Sequence, residues 1–191
     1  MRDVLCSRAF RPLLATMALL AGAASGAAQT LPEANTWSVT PFLHTSMDMS
    51  DPGPANSPGL GVAVSYDWTR NLAFEGDIGH FFDVAGDDAN VDWSISTFSA
   101  NALYHFETPH VTPYVAFGLG LERSAFEVKN PDVLALYQDF DATEFAFNFG
   151  GGVKYTLNDR WNARGDLRRV QANDIAPDHW RLYAGVSFKV K

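Results

Sequence analysis

From Thr143 to Tyr155 the chain alternates so strictly that only a β-strand accounts for it. One parity holds Phe145, Phe147, Phe149, Gly151, Val153 and Tyr155, and the other holds Glu144, Ala146, Asn148, Gly150, Gly152 and Lys154. Successive side chains of a strand point to opposite faces, so one face is aromatic and apolar while the other is small or charged. After Leu157-Asn158-Asp159 the pattern repeats, with Trp161, Ala163, Gly165 and Leu167 against Asn162, Arg164, Asp166 and Arg168. A water-soluble barrel would hide the apolar parity and show the charges. Here the charged parity also carries the small residues, which suits a tight interior. The apolar parity is then left to face lipid, the pattern of a transmembrane β-barrel.

Residues 1–28 read as a secretory signal peptide. Arg2, Arg8 and Arg11 form a basic start, Leu13 to Ala24 is apolar, and Gly26-Ala27-Ala28 supplies small residues for cleavage after Ala28. The apolar run is too short to cross a bilayer as a helix. Cys6, the only cysteine, falls in this segment, so the mature chain is expected to form no disulfide. Residues 29–191 remain as one barrel domain. Removing Arg2, Arg8, Arg11 and Asp3 leaves 11 basic against 21 acidic residues, a net charge of −10. That balance argues against nucleic acid as a partner.

Period-two segments recur near 36–45, 59–68, 72–82, 93–106, 112–125, 143–156, 160–170 and 180–190. Short connectors alternate with long ones, as expected for an eight-stranded antiparallel up-and-down barrel with short periplasmic turns and longer external loops. The outward set includes Leu60, Val62, Val64, Phe74, Ile78, Phe98, Val115, Phe117, Leu119 and Leu121. Aromatic girdles are expected at both interfaces: Trp37, Trp68, Trp161, Tyr104 and Tyr155 on the turn side, Trp93 and Trp180 on the loop side. Pro41 and the parity of Trp93 and Ile95 break the pattern, and a bulge is the expected cause.

The inward positions collect Glu75, Asp77, Glu122, Glu144 and Asp166 together with Lys154, Arg164, Arg168, Arg181 and Lys189. Five acids face five bases inside a barrel only wide enough for side chains to fill it. Unpaired buried ions cost several kcal/mol each, so pairing is nearly compulsory. A hairpin folded about Asn158 would set Arg164 opposite Gly152 and Arg168 opposite Asn148. The set reads as a polar plug that shuts the barrel; the alternative is a narrow, charged conduction path, although selective pores favour rings of one sign. The connecting loops are acidic, with Asp48, Asp51, Asp83, Asp87, Asp88, Asp92, Glu127, Asp132, Asp139, Asp141, Asp174 and Asp178 against Lys129 alone. They suggest solvated surface or divalent-cation bridges to lipopolysaccharide. In the third loop, Val133, Leu134, Leu136, Tyr137 and Phe140 form an apolar lip at helical spacing.

No cofactor motif is present, and His44, His105, His110 and His179 show no metal-ligand spacing. His80 faces outward near the external rim, with Ser94 and Ser96 on the neighbouring strand and Asp83 or Asp92 within reach. That grouping raises a third function, an outer-leaflet lipid A-modifying enzyme built on triad logic. A soluble lipocalin-like barrel is the main fold alternative, but its interior would be overfilled by the aromatic parity.

Two runs carry a family resemblance: Pro113-Tyr114-Val115-Ala116-Phe117-Gly118-Leu119-Gly120, and the closing Gly185-Val186-Ser187-Phe188-Lys189-Val190. Across the mature chain the sequence resembles the outer-membrane β-barrel domain family, the small eight-stranded relatives of OmpA and OmpX. The resemblance implies residence in the bacterial outer membrane, contact with its lipids and lipopolysaccharide, a monomer, and no enzymatic activity. It also implies that Gly185, Phe188 and Val190 form the C-terminal signal read by the barrel-assembly machinery. Lys191 beyond that signal and Ala184 within it depart from the usual pattern. The periplasmic peptidoglycan-binding role of OmpA-type proteins is not expected here. A structural or surface-interaction role follows, with a porin-like role as the alternative.

Overall fold

A computed structural model describes residues 32–47, 57–82, 91–108, 111–128, 140–172 and 178–190. The signal segment, most acidic loop positions, His110 and the third-loop lip up to Tyr137 lie outside the described residues, while Phe140 opens the sixth strand.

Eight strands follow one another around a closed barrel. They are β1 (Thr36–Met47), β2 (Pro58–Asp67), β3 (Leu72–Phe81), β4 (Val91–His105), β5 (Thr112–Val128), β6 (Phe140–Thr156), β7 (Trp161–Ala172) and β8 (His179–Lys189). Each strand is antiparallel to both neighbours, and β1 closes the ring against β8 from Ser38↔Lys189 to Met47↔Trp180. Closure leaves no lateral edge, which is what allows a sheet to cross a bilayer. At the entry to β1, Asn35 takes a left-handed conformation, φ 61°, which asparagine tolerates better than most residues.

The parities face as the alternation requires. Leu60, Phe74, Ile78, Phe98, Val115, Phe117, Leu119, Leu121, Phe145 and Phe149 are large apolar side chains left exposed on the outside. Serines, threonines, histidines, acids and arginines are buried inside. One register row shows the outer boundary of this apolar band. Val62, Ile78, Phe98, Leu121 and Phe145 lie side by side across β2 to β6. The next outward row toward the loops is Leu60, His80, Ser96, Arg123 and Thr143. Arg123 there is paired with Asp141, Nε to Oδ1 at 2.9 Å. From β3 to β6, with Leu60 of β2 still apolar, this change to hydrogen-bonding side chains within one residue pair marks the lipid–headgroup interface.

Two expectations need correction. There is no bulge at Pro41 or Trp93: the β1–β2 register runs unbroken through Pro41 and the β4–β5 register through Trp93 and Ile95. The Val190 amide donates to the Trp37 carbonyl, so this parity of β1 points its backbone groups at β8. Pro41 shares that parity and has no N–H, and the β1–β8 pairing lapses between Val39↔Phe188 and Phe42↔Gly185 without changing register. Trp93, in turn, belongs to the inward parity of β4. It packs against Phe81 and Ile95 inside the mouth instead of joining a lipid-facing girdle.

A buried ion cluster across the lumen

Strand order decides which inward charges meet. Arg164 and Arg168, two pleat repeats apart on β7, both reach toward β3. Arg164 engages Glu75 with both terminal nitrogens, Nη2 lying 3.0 Å from Oε1, and also reaches Asp166. Arg168 donates to Glu75 Oε1 at 2.9 Å and to Asp166 Oδ2 at 2.7 Å, and lies 3.6 Å from Asp77. Arg181 of β8 completes the set by donating to Asp77 Oδ1 at 3.1 Å. Three carboxylates thus meet three guanidinium groups, with side chains 0–4 % exposed.

Neutral side chains satisfy most of what the ions leave over. Ser65 donates to Glu75 and Tyr114 to Asp166. Ser99 and Asn101 both donate to Asp77 Oδ2, at 2.6 and 2.7 Å, and Asn148 donates onward to Asn101. The Arg164 guanidinium lies between two tyrosine rings, 4.9 Å from the centres of Tyr114 and Tyr183. Planar guanidinium suits this sandwich of bidentate pairing and stacking, which a lysine could not reproduce. Buried ions with this degree of pairing and hydrogen bonding are tolerated where isolated ones are not.

The β6–β7 hairpin register differs from the expected one by two residues. Asn158 caps the turn through its side chain, accepting from the Arg160 and Trp161 amides, and the turn centres on Asp159. Lys154 therefore faces Arg164, Gly152 faces Asp166 and Gly150 faces Arg168. The small-residue argument survives with altered partners. A methyl group on Gly152 would run into Asp166 Cβ, the Gly165 carbonyl and the Tyr114 hydroxyl.

The other inward charges stand apart. Lys154 pairs loosely with Asp67 at 3.9 Å, and Asp67 was not anticipated although it shares the inward parity of β2. Lys189 lines the periplasmic opening, a polar cavity of about 400 Å³ that also touches Ser38, Asp67 and Lys154. Glu122 and Glu144 face each other across β5 and β6 toward the loop end, where His179 Nε2 lies 3.9 Å from Glu122 Oε1. Tyr114, Tyr183, Ser65, Ser99, Asn101 and Asn148 join the lumen beyond the expected charges, and parity alone puts them inside.

Above the cluster the lumen turns aromatic. Phe42 stacks edge-on against Tyr183 at 4.4 Å, and Phe81 lies between His44 and His179 at 4.1 and 5.5 Å. On the outside, Trp37, Trp68, Tyr104 and Trp161 stand exposed at the turn end, and Tyr155 is half-buried there. Trp180 stands at the loop end with Arg169 over its ring at 6.0 Å. Phe188 packs on Trp161 at 4.8 Å, and Val190 is exposed. His80 Nδ1 lies 2.9 Å from Ser96 Oγ on the lipid-facing side, so of the two candidate serines it is Ser96 that the register delivers. Asp83 is outside the described residues.

A family model described as outer membrane protein β-barrel domain matches residues 13–188. No curated protein sequence matches significantly. Among solved structures, the N-terminal β-barrel domain of Pseudomonas aeruginosa OprF is 19 % identical, with a TM-score of 0.63 over 83 % of this chain and 99 % of that one. Neisserial surface protein A is 20 % identical, with a TM-score of 0.63 over 81 % and 97 %. Ail, the attachment invasion locus protein of Yersinia pestis, solved in complex with the heparin analogue sucrose octasulfate, is 13 % identical, with a TM-score of 0.54 over 81 % and 96 %.

Proposed function

Since the chain belongs to the outer membrane protein β-barrel domain family, and so to the bacterial outer membrane, we propose that it is a non-enzymatic, non-conducting barrel that serves envelope integrity or surface interaction. One observation carries this reading: the Glu75–Asp77–Asp166 and Arg164–Arg168–Arg181 cluster spans the lumen with its side chains sealed from water. Three acids against three guanidinium groups leave the set without net charge, so it offers a passing ion no single-sign ring to follow. We take the protein to act as a monomer inserted by the barrel-assembly machinery, with Gly185, Phe188 and Val190 as its signal. Its lipid-facing surface meets outer-membrane lipids and lipopolysaccharide. The ligand class seen with Ail is not carried over, because acidic loops repel a polysulfate.

The test is single-channel recording in planar bilayers with refolded protein. Silence over a range of voltages is expected; reproducible conductance steps would reject the reading. The second reading, a narrow porin-like path, draws on the periplasmic cavity beside Lys154 and Lys189, which would form half of such a path. It predicts steps in the native protein that change size in Arg164→Ala or Arg168→Ala.

A further inference from the structure

Beneath the ion cluster the lumen opens toward the periplasm as a cavity of about 400 Å³, at the small end of the range for ligand sites. Its charges are graded by depth. Lys154 and Asp67 are buried in its wall, Lys189 is half-buried, and Glu33 and Asp159 stand exposed at its mouth. Two cations and one acid therefore lie inside, and two acids flank the entrance. Lys154 Nζ is 3.9 Å from Asp67 Oδ1, an ion pair too long to be a hydrogen bond. That contact compensates charge but takes up none of the three N–H donors of the ammonium. Ser38, Thr112 and Ser187, also buried in the wall, add hydroxyls that can donate or accept. Pro32 alone among the described lining residues is apolar.

The gradient selects by sign. A simple anion drawn to Lys154 and Lys189 must pass Glu33 and Asp159, and a simple cation held at the mouth is repelled from the interior. A molecule bearing both charges, carboxylate leading and ammonium trailing, is attracted at both depths. We propose that this cavity binds a zwitterionic short peptide from the periplasm, its terminal carboxylate held by Lys154 and Lys189 and its ammonium by Glu33 and Asp159. Charges set at two depths favour a dipeptide over a free amino acid, whose two charged groups flank a single carbon. A lining this polar gives a large apolar side chain no contact, so small or polar residues are expected. The proposal goes beyond the sealed-lumen reading, which it uses only for the floor of the cavity.

Residues 29–191 are refolded into octyl glucoside micelles, because phosphocholine detergents are themselves zwitterionic. Alanyl-alanine is titrated in at constant ionic strength, and amide shifts are followed by two-dimensional NMR. Saturable shifts are expected around Lys154 and Ser187. Acetyl-alanyl-alanine lacks the ammonium and alanyl-alanine amide lacks the carboxylate, and each should bind at least about tenfold more weakly. The double variant Glu33→Gln/Asp159→Asn changes only exposed side chains. It should weaken alanyl-alanine and strengthen acetyl-alanyl-alanine, an inversion that a merely structural role would not produce. Lys154→Gln should abolish binding of both peptides; if that variant does not fold, the exposed pair still decides. No saturable shift in the native protein, equal binding of the blocked peptides, or affinities unchanged in Glu33→Gln/Asp159→Asn would overturn the proposal. Peptide binding that persists alongside conductance steps in bilayers would support the site and reject only the sealed lumen.

Discussion

Arg164 on β7 reaches across the lumen to Glu75 on β3, 89 positions away, and binds it with both terminal nitrogens. The contact joins strands that are not neighbours in the barrel wall, so it braces the ring across its diameter. Arg164→Ala would leave Glu75 and Asp166 with one guanidinium between them and strand two stacked tyrosines. A loss of about 3 kcal/mol is expected, within the range for breaking a buried pair. Urea unfolding in micelles measures it. In the double variant Glu75→Gln/Arg164→Gln the loss should be smaller than the sum of the singles, because each single leaves an unpaired ion.

Gly152 touches the same cluster from the opposite strand. Its hydrogen faces Asp166 and the Tyr114 hydroxyl, and a Cβ there meets backbone as well as side chain. Gly152→Val is therefore expected to destabilise by about 2–3 kcal/mol through overpacking. Gly76, which faces outward with nothing near its Cβ position, is the matched control, and Gly76→Val should fold normally. Heat-modifiability on gels reads both. Equal behaviour of the two variants would mean that the lumen yields more than this packing allows.

His105 carries a different expectation. It is fully buried near the turn end, edge-on to Tyr114 at 5.7 Å, and neither ring nitrogen has a hydrogen-bond partner. A buried polar group left unsatisfied costs about 1–3 kcal/mol, so an apolar ring of similar shape should do no harm. His105→Phe is predicted to keep or raise the unfolding midpoint. A drop of more than about 1 kcal/mol would show that an imidazole partner is being lost.

Phe188 separates assembly from stability. If Gly185, Phe188 and Val190 form an insertion signal, Phe188→Ala should lower the amount of folded protein in the outer membrane of expressing cells. It should still refold from urea into micelles, with only the modest loss due to its contact with Trp161. Equal losses in cells and in micelles would assign Phe188 to packing alone.

Much of the architecture is legible in the chain itself, for a physical reason particular to strands. A period of two assigns every side chain to one face or the other, so Phe145 and Arg164 declare their sides without any tertiary information. The failures are informative. Residue type alone puts Trp93 in a girdle, whereas the unbroken β4–β5 ladder turns it inward. Asp67 and Tyr114 are harder to read, because one closes a strand and the other sits within an apolar run, though both share the inward parity and are buried. The hairpin slipped by one residue pair because the Asn158 side chain caps two amides beyond it, which moves the turn centre to Asp159.

Parity, strand count and turn spacing therefore belong to the sequence by itself: eight strands, an apolar outer surface and a charged lumen follow from local alternation. Which charges meet does not. Glu75 lies as near in sequence to Arg123 as to many other bases, yet ring closure and the stagger of the strands bring it to Arg164 and Arg168 and leave Glu122 beside Glu144. Pairing across a barrel depends on register summed over several ladders. A shift of one residue pair in any of them would exchange partners without altering a single strand's pattern.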